Sequence, residues 1–245
     1  MRYAVLLYED ETVWEGLTPE EQAAGLAKHD RYAQRVVELG GAVLGGEPLQ
    51  PTATATCVRW DGDDMTVTEG PFAETAEQFG GFYLVEMPDL DAAIEAAKEL
   101  PHDAELRPVV VHEMPAGDGT EAAAVEGDTY AVLLYGEEET WLRASPEERD
   151  GMYARHGRFG ALIGERGAAH LGGEELAHTS TATTLRHTPG GVVISDGPYA
   201  ETTEQLTGYY LIRAKGVDVI VDLLRALPGG TDEIRPVMDM GAASA

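Results

Sequence analysis

Two histidines, His29 and His156, stand 127 positions apart in closely similar surroundings. His29 lies among Leu26, Ala33 and Val36, and His156 among Tyr153, Phe159 and Ile163. Both sets have the three-to-four spacing that turns an imidazole toward the apolar face of a helix. Such an imidazole either completes a hydrogen-bonded core or exchanges a proton near neutral pH. Two carboxylates, Glu69 and Asp196, recur at the same interval, each directly before Gly-Pro. Proline fixes its own φ and restricts the residue before it, so the pair makes a turn at which the acid caps the backbone or orients an imidazole. Thr54 and Thr56, with Thr181 and Thr183, place hydroxyls on one face of an expected strand, as plain strand formers or as the lining of a polar pocket. Arg107 and Arg235 suit a ligand carboxylate or a structural ion pair. Tyr83 and Tyr210 read as core aromatics whose hydroxyls remain available to a cavity. Glu74, Glu77, Glu201 and Glu204 read as solvated acids or partners for arginine.

These residues belong to a repeat that runs through the whole chain. Tyr3-Ala-Val-Leu-Leu-Tyr8 returns as Tyr130-Ala-Val-Leu-Leu-Tyr135, and Glu69-Gly-Pro-Phe72 as Asp196-Gly-Pro-Tyr199. The offset of 127 holds until the end, where Arg107-Pro-Val answers to Arg235-Pro-Val, one position late. Each copy opens on a short apolar strand, at 3–8 in the first. A helix follows, announced by Thr18-Pro19 or Ser145-Pro146 and ended at Leu39 by Gly40-Gly41 in the first copy. Strands are expected at 53–60, 65–69, 81–87 and 105–112, with a hairpin turn at 61–64 and a helix capped by Asp89 before the last. This order predicts an α+β fold: two tandem ferredoxin-like domains, residues 1–114 and 129–245, joined by a linker at 115–128. A sheet covered by helices on one face leaves the other open. The two copies are expected to meet within the chain as an intramolecular pseudo-dimeric α+β barrel, with pairing to a second chain left open.

The balance of 44 acidic against 17 basic residues, a net charge of −27, repels phosphate backbones and anionic lipids. Neither direct nucleic-acid binding nor membrane binding is expected. The single cysteine, Cys57, precludes an internal disulfide, and no apolar run has the length of a signal or membrane segment, so the sequence reads as cytoplasmic. Seven scattered histidines offer no metal motif, and the glycine pairs lack the context of a phosphate loop. No metal is expected, and no nicotinamide, flavin or nucleotide cofactor.

The acid-Gly-Pro-aromatic turn, with Ala-Glu-Thr before Glu-Gln and an aromatic strand after it, resembles the YCII-related family in its DGPF subgroup. The Tyr-rich first strand, the Ser/Thr-Pro-Glu-Glu helix start, Thr-Ala-Thr and Arg-Pro-Val extend the resemblance over both copies. Glu69 replaces the subgroup's Asp, Tyr199 its Phe, and Ala76 and Thr203 its usual Lys. The resemblance implies the dimeric α+β barrel fold, a His/Asp pair proposed as catalytic in relatives, and an association with alternative sigma factors. Two functions follow. One is a module that binds a small molecule or a protein such as a sigma factor. The other is an enzyme whose His/carboxylate pair moves a proton on a small cyclic or carboxylated substrate, as a lyase or isomerase. The change from Asp to Glu between copies shifts the carboxylate by a methylene and favours the first.

Overall fold

A computed structural model describes residues 1–73, 77–112 and 125–239; Glu74 and the linker stretch 115–124 lie outside the described residues. The first repeat runs β1 (Arg2–Glu9), α1 (Glu11–Gly16), α2 (Pro19–Glu38), β2 (Ala42–Pro48), β3 (Thr56–Asp61), β4 (Asp64–Glu69), β5 (Gln78–Glu86), α3 (Leu90–Ala97) and β6 (Asp103–Val110). The second runs β7 (Asp128–Gly136), α4 (Glu138–Arg143), α5 (Pro146–Glu165), β8 (Ala169–Leu176), β9 (Thr183–Thr188), β10 (Gly191–Asp196), β11 (Gln205–Ala214), α6 (Val217–Leu224) and β12 (Thr231–Pro236). Both long helices start as expected. Thr18 and Ser145 each accept from the N–H three residues on, while Glu21 and Glu148 reach back to the cap backbone, closing two capping boxes.

β2 and β8 were not expected. Gly45-Gly46 and Gly172-Gly173 dilute the apolar pattern by which a strand is read, yet these strands complete the four-strand frame of each repeat, pairing with β5 and β11. In the first repeat the antiparallel order is β2-β5-β1-β6, the ferredoxin-like arrangement; β8-β11-β7-β12 repeats it. The hairpins β3–β4 and β9–β10 are therefore insertions, not members of that four-strand frame.

Each hairpin joins the unit built on the other repeat. One compact unit comprises Met1–Pro48, Glu74–Val110 and Leu176–Glu201; the other comprises Leu49–Ala73, Val111–Glu175 and Thr202–Ala245. In the first unit β9 pairs with β6 and β10 with β9. In the second β3 pairs with β12 and β4 with β3. The sequence repeats and the compact units thus divide the chain differently.

The first core lies between the sheet and its helices: Tyr3, Val5, Leu7, Val85 and Leu106 meet Tyr32 and Val36 of α2 and Ala93, Ala96 and Ala97 of α3. Leu185, from the inserted hairpin, is buried in the same cluster. The second core sets Val132, Ile212 and Ile234 against Phe159, Ile163, Ile220 and Leu224, with Val58 from the other hairpin. Among the described residues no helix is long and apolar enough to cross a membrane.

On the opposite face of each sheet, alternation along β6 and β12 buries an ion pair. Glu105 and Arg107 are each 1% exposed and directly bonded, with Nε of Arg107 2.7 Å from Oε1 of Glu105. The remaining oxygen of Glu105 accepts the Tyr199 N–H at 2.7 Å, and Arg107 donates to the Ala177 carbonyl. Glu233 and Arg235 form the matching pair, with Glu233 accepting the Phe72 N–H at 2.7 Å. The aromatic of each Gly-Pro turn then stacks on a first-strand tyrosine, Tyr199 on Tyr8 and Phe72 on Tyr135, with centroids 4.0 and 4.2 Å apart. The turn itself needs glycine: Gly70 and Gly197 adopt φ of 103° and 101°. The motif is a clasp that holds each hairpin in its unit.

Candidate functional site

α2 presents His29 to the sheet beside Tyr83 of β5, and Nδ1 of His29 lies 2.9 Å from the Tyr83 hydroxyl. Gly46 of β2 makes room for that ring. A Cβ there would stand 2.9 Å from the Tyr83 ring and 2.5 Å from the Phe82 carbonyl, at a φ of +152° that side chains avoid. The loop after α3 carries His102, whose Nε2 is 3.2 Å from Nε2 of His29. Nδ1 of His102 is 3.1 Å from a carboxylate oxygen of Glu9, at the end of β1. Four side chains from four elements of the first repeat form one line: Tyr83, His29, His102, Glu9.

Hydrogen-bond capacity sets the direction of this line. The Glu9 carboxylate can only accept, so Nδ1 of His102 carries a proton and its Nε2 is bare. His29 must then donate from Nε2, which leaves its Nδ1 to accept the Tyr83 O–H. This tautomer assignment follows from the network. Electrostatics agree. Burial lowers the His29 pKa, and burial reinforced by His29, His187 and Lys28 brings His102 to about 4, so both rings are neutral at neutral pH. Burial raises Tyr83 and, together with Glu11, raises Glu9, making that carboxylate a readier proton acceptor. The Glu9 side chain is 30% exposed, so this end of the line reaches solvent.

The second repeat keeps half of this arrangement. Nδ1 of His156 is 2.7 Å from the Tyr210 hydroxyl, and Gly173 frees the space for that ring as Gly46 does. Gly136 stands at the position of Glu9, and Pro228-Gly229-Gly230 replaces Pro101-His102. Among the described residues Nε2 of His156 has no hydrogen-bond partner. Burial, with Arg155 and His112 nearby, lowers its pKa.

The remaining expected site residues lie elsewhere. Glu69 and Asp196 are exposed at the ends of β4 and β10, and neither is bonded to a histidine. Each also falls in the unit built on the other repeat. Thr54 and Thr181 are not on strands: each sits in a 3-10 turn and donates its hydroxyl to a carbonyl three residues back, Pro51 or His178. The following alanines, not these threonines, lead into the strands. Thr56 and Thr183 begin β3 and β9 opposite Glu69 and Asp196. Arg107 and Arg235 are engaged in the buried clasps. Glu77 approaches Arg186 at 4.0 Å, and Glu204 accepts from Thr231 at 3.1 Å, the arginine-partner reading holding for the first. The sequence reading missed Glu9 and His102, whose only signal is that they differ between otherwise matching repeats. Among the described residues no group of three or more His, Cys, Asp or Glu side chains could hold a metal ion.

The model of the YCII-related domain matches residues 1–110 and again 129–241. An uncharacterised protein of Rhizobium meliloti (strain 1021) is 35% identical over 123 residues, which cover 44% of this chain and 90% of that protein. Among solved structures, a mutant chlorite dismutase from Candidatus Nitrospira defluvii is 9% identical, with a TM-score of 0.45 over 98% of this chain and 92% of that one. A haem-binding protein from Thermus thermophilus is 10% identical, with a TM-score of 0.40 over 99% of this chain and 92% of that one. Likenesses this distant bear on neither the site nor its chemistry.

Proposed function

The chain belongs to the YCII-related domain family through both of its repeats, and from that premise we propose that the first repeat catalyses proton transfer on a small molecule. The unbroken line Tyr83–His29–His102–Glu9 is the observation that supports this reading. A weakly acidic substrate C–H or O–H gives its proton to the Tyr83 oxygen as Tyr83 gives its own to Nδ1 of His29. His29 passes its Nε2 proton to His102, which passes its Nδ1 proton to Glu9. The transfers are concerted, so neither ring ever holds two protons: the substrate becomes an anion, Glu9 a neutral acid, and charge balances without an imidazolium. Tyr83 is the catalytic residue; His29, His102 and Glu9 carry its proton to solvent. Positioned acid–base groups of this kind are worth roughly 10²–10⁴ in rate.

The substrate class is a small cyclic or carboxylated compound with an exchangeable proton, and the reaction is of the lyase or isomerase type. The drift from Asp to Glu at the Gly-Pro turn no longer argues against catalysis, because the carboxylate on the imidazoles is Glu9. No described residue speaks for the sigma-factor partnership that the resemblance implied.

Proton NMR in D2O with a panel of 2-oxo acids and lactones tests the reading whatever the final product is, because only the exchange step is followed. Deuterium should enter at least one compound with the native protein, at least about tenfold more slowly with His102→Gln, and at an unchanged rate with His156→Gln. Exchange no faster than in buffer for every compound would favour the small-molecule-binding module instead.

A further inference from the structure

Asp232 of β12 is 3% exposed, and its Oδ2 has no hydrogen-bond partner. Alternation places it on the sheet face of Ile234, toward the helices. Asp232 pairs with Leu134; the neighbouring row of the same face runs from Ile234 through Val132 to Tyr210, two strands away. The corresponding residue of the first repeat is Ala104, fully buried in an apolar core. The second repeat therefore carries an acid where its twin has a methyl group. Beside it, the twin's Glu9 and His102 have become Gly136 and Gly229, and a Cβ built on Gly229 would meet nothing within 4 Å. Among the described residues Nε2 of His156 has no partner, whereas the same atom of His29 meets His102.

We propose that the second repeat holds a separate binding site for a small organic cation, an amine or amidine, whose charged group completes the Asp232 carboxyl beside Tyr210 and His156. The charges around this position favour a cation. Burial alone pushes the Asp232 pKa well above the usual carboxylate range, with no arginine or lysine countering it. Burial, and after it Glu175 and Asp232, raises Tyr210 to about 12. Burial, with Arg155 and His112, lowers the His156 pKa, and the neutral tautomer that donates from Nδ1 to the Tyr210 oxygen can accept an N–H of the ligand at Nε2. A buried carboxyl without a partner destabilises the fold, and a group retained at such a cost is characteristic of binding sites. A cation that binds here gives the ionised carboxylate the partner it lacks, so binding favours the charged form of Asp232.

Calorimetry on the full chain in phosphate and in HEPES, with n-butylammonium as probe and n-butanol as its uncharged isostere, tests the site. The amine should bind in both buffers, and n-butanol should give no heat. Asp232→Asn should weaken the amine at least about tenfold, the loss expected for a charge-assisted hydrogen bond. Asp232→Ala, which installs the first repeat's residue, should abolish binding and raise Tm. His102→Gln, in the other repeat, should leave the affinity unchanged, which separates this site from the proton line. No amine binding, equal binding of n-butanol, or undiminished binding by Asp232→Ala overturns the proposal.

Discussion

His102 makes stability depend on acid in a way that one substitution can isolate. Its pKa is held at about 4 in the folded protein, below the ordinary value of 6.5. Between those two values the unfolded chain binds the proton and the folded protein does not. Stability is therefore intact above about pH 6.5 and is lost as pH falls toward 4. For one group with these two constants, the loss between pH 7 and pH 5 is about 1.8 kcal/mol, from the ratio of the unfolded and folded binding polynomials at each pH. The side chain is only 16% exposed, so solvent screening takes little from this figure. Glu9 acts in the opposite sense: its raised pKa adds stability on acidification above the ordinary 4.5, but His102→Gln leaves that group in place. The lowered His29, His156 and His170 are likewise present in both proteins. Urea unfolding followed by tryptophan fluorescence at pH 7, 6 and 5 measures the difference. The native protein should lose about 1.8 kcal/mol more than His102→Gln over that range. Parallel pH profiles for the two would refute the assignment of His102 as a neutral, desolvated member of the line.

Two further outcomes concern the frame that holds the site. Arg107→Met leaves the Glu105 carboxylate buried with the Tyr199 N–H as its remaining partner, and should cost about 3–5 kcal/mol by urea unfolding; a loss under about 1 kcal/mol would mean that the clasp is not what secures the hairpin. Gly46→Ala drives a methyl group into the Phe82 carbonyl and the Tyr83 ring, so it should lower Tm and displace the Tyr83 hydroxyl from His29, seen as a changed ring-nitrogen shift of His29; an unchanged Tm and shift would show that β2 does not set the ring.

The α+β class, the duplicated motifs, both long helices and the sheet-facing histidines were legible because they rest on patterns that recur at a fixed interval, whereas the histidines were paired with the turn acids and not with Tyr83 and Tyr210. Recurrence also hid the rest. Glu9 and His102 occur in one repeat only, so a comparison that selects what the repeats share passes over them. The turn acids recur and attracted a catalytic reading, but what recurs there is the clasp: a glycine with positive φ and an N–H gripped by a buried glutamate. Gly45-Gly46 concealed β2, and a ferredoxin-like frame read without it must recruit the hairpin strands in its place. That the hairpins exchange between units cannot be read from one repeat, since each copy contains a complete set of strands. Asp232 had a signal of its own, an acid at the position in the closing strand where the first repeat carries alanine.

The directional line from Tyr83 to Glu9 is tested most directly by the ring nitrogens themselves. Long-range 1H–15N correlation spectra of the native protein at pH 7 should show His102 as the neutral Nδ1–H tautomer and His29 as the neutral Nε2–H tautomer. Acidification should leave His102 uncharged until well below pH 6.5, and His29→Gln should alter the His102 resonances. An imidazolium at either position at pH 7, or His29 protonated on Nδ1, would break the line at its centre and contradict the proposed catalysis.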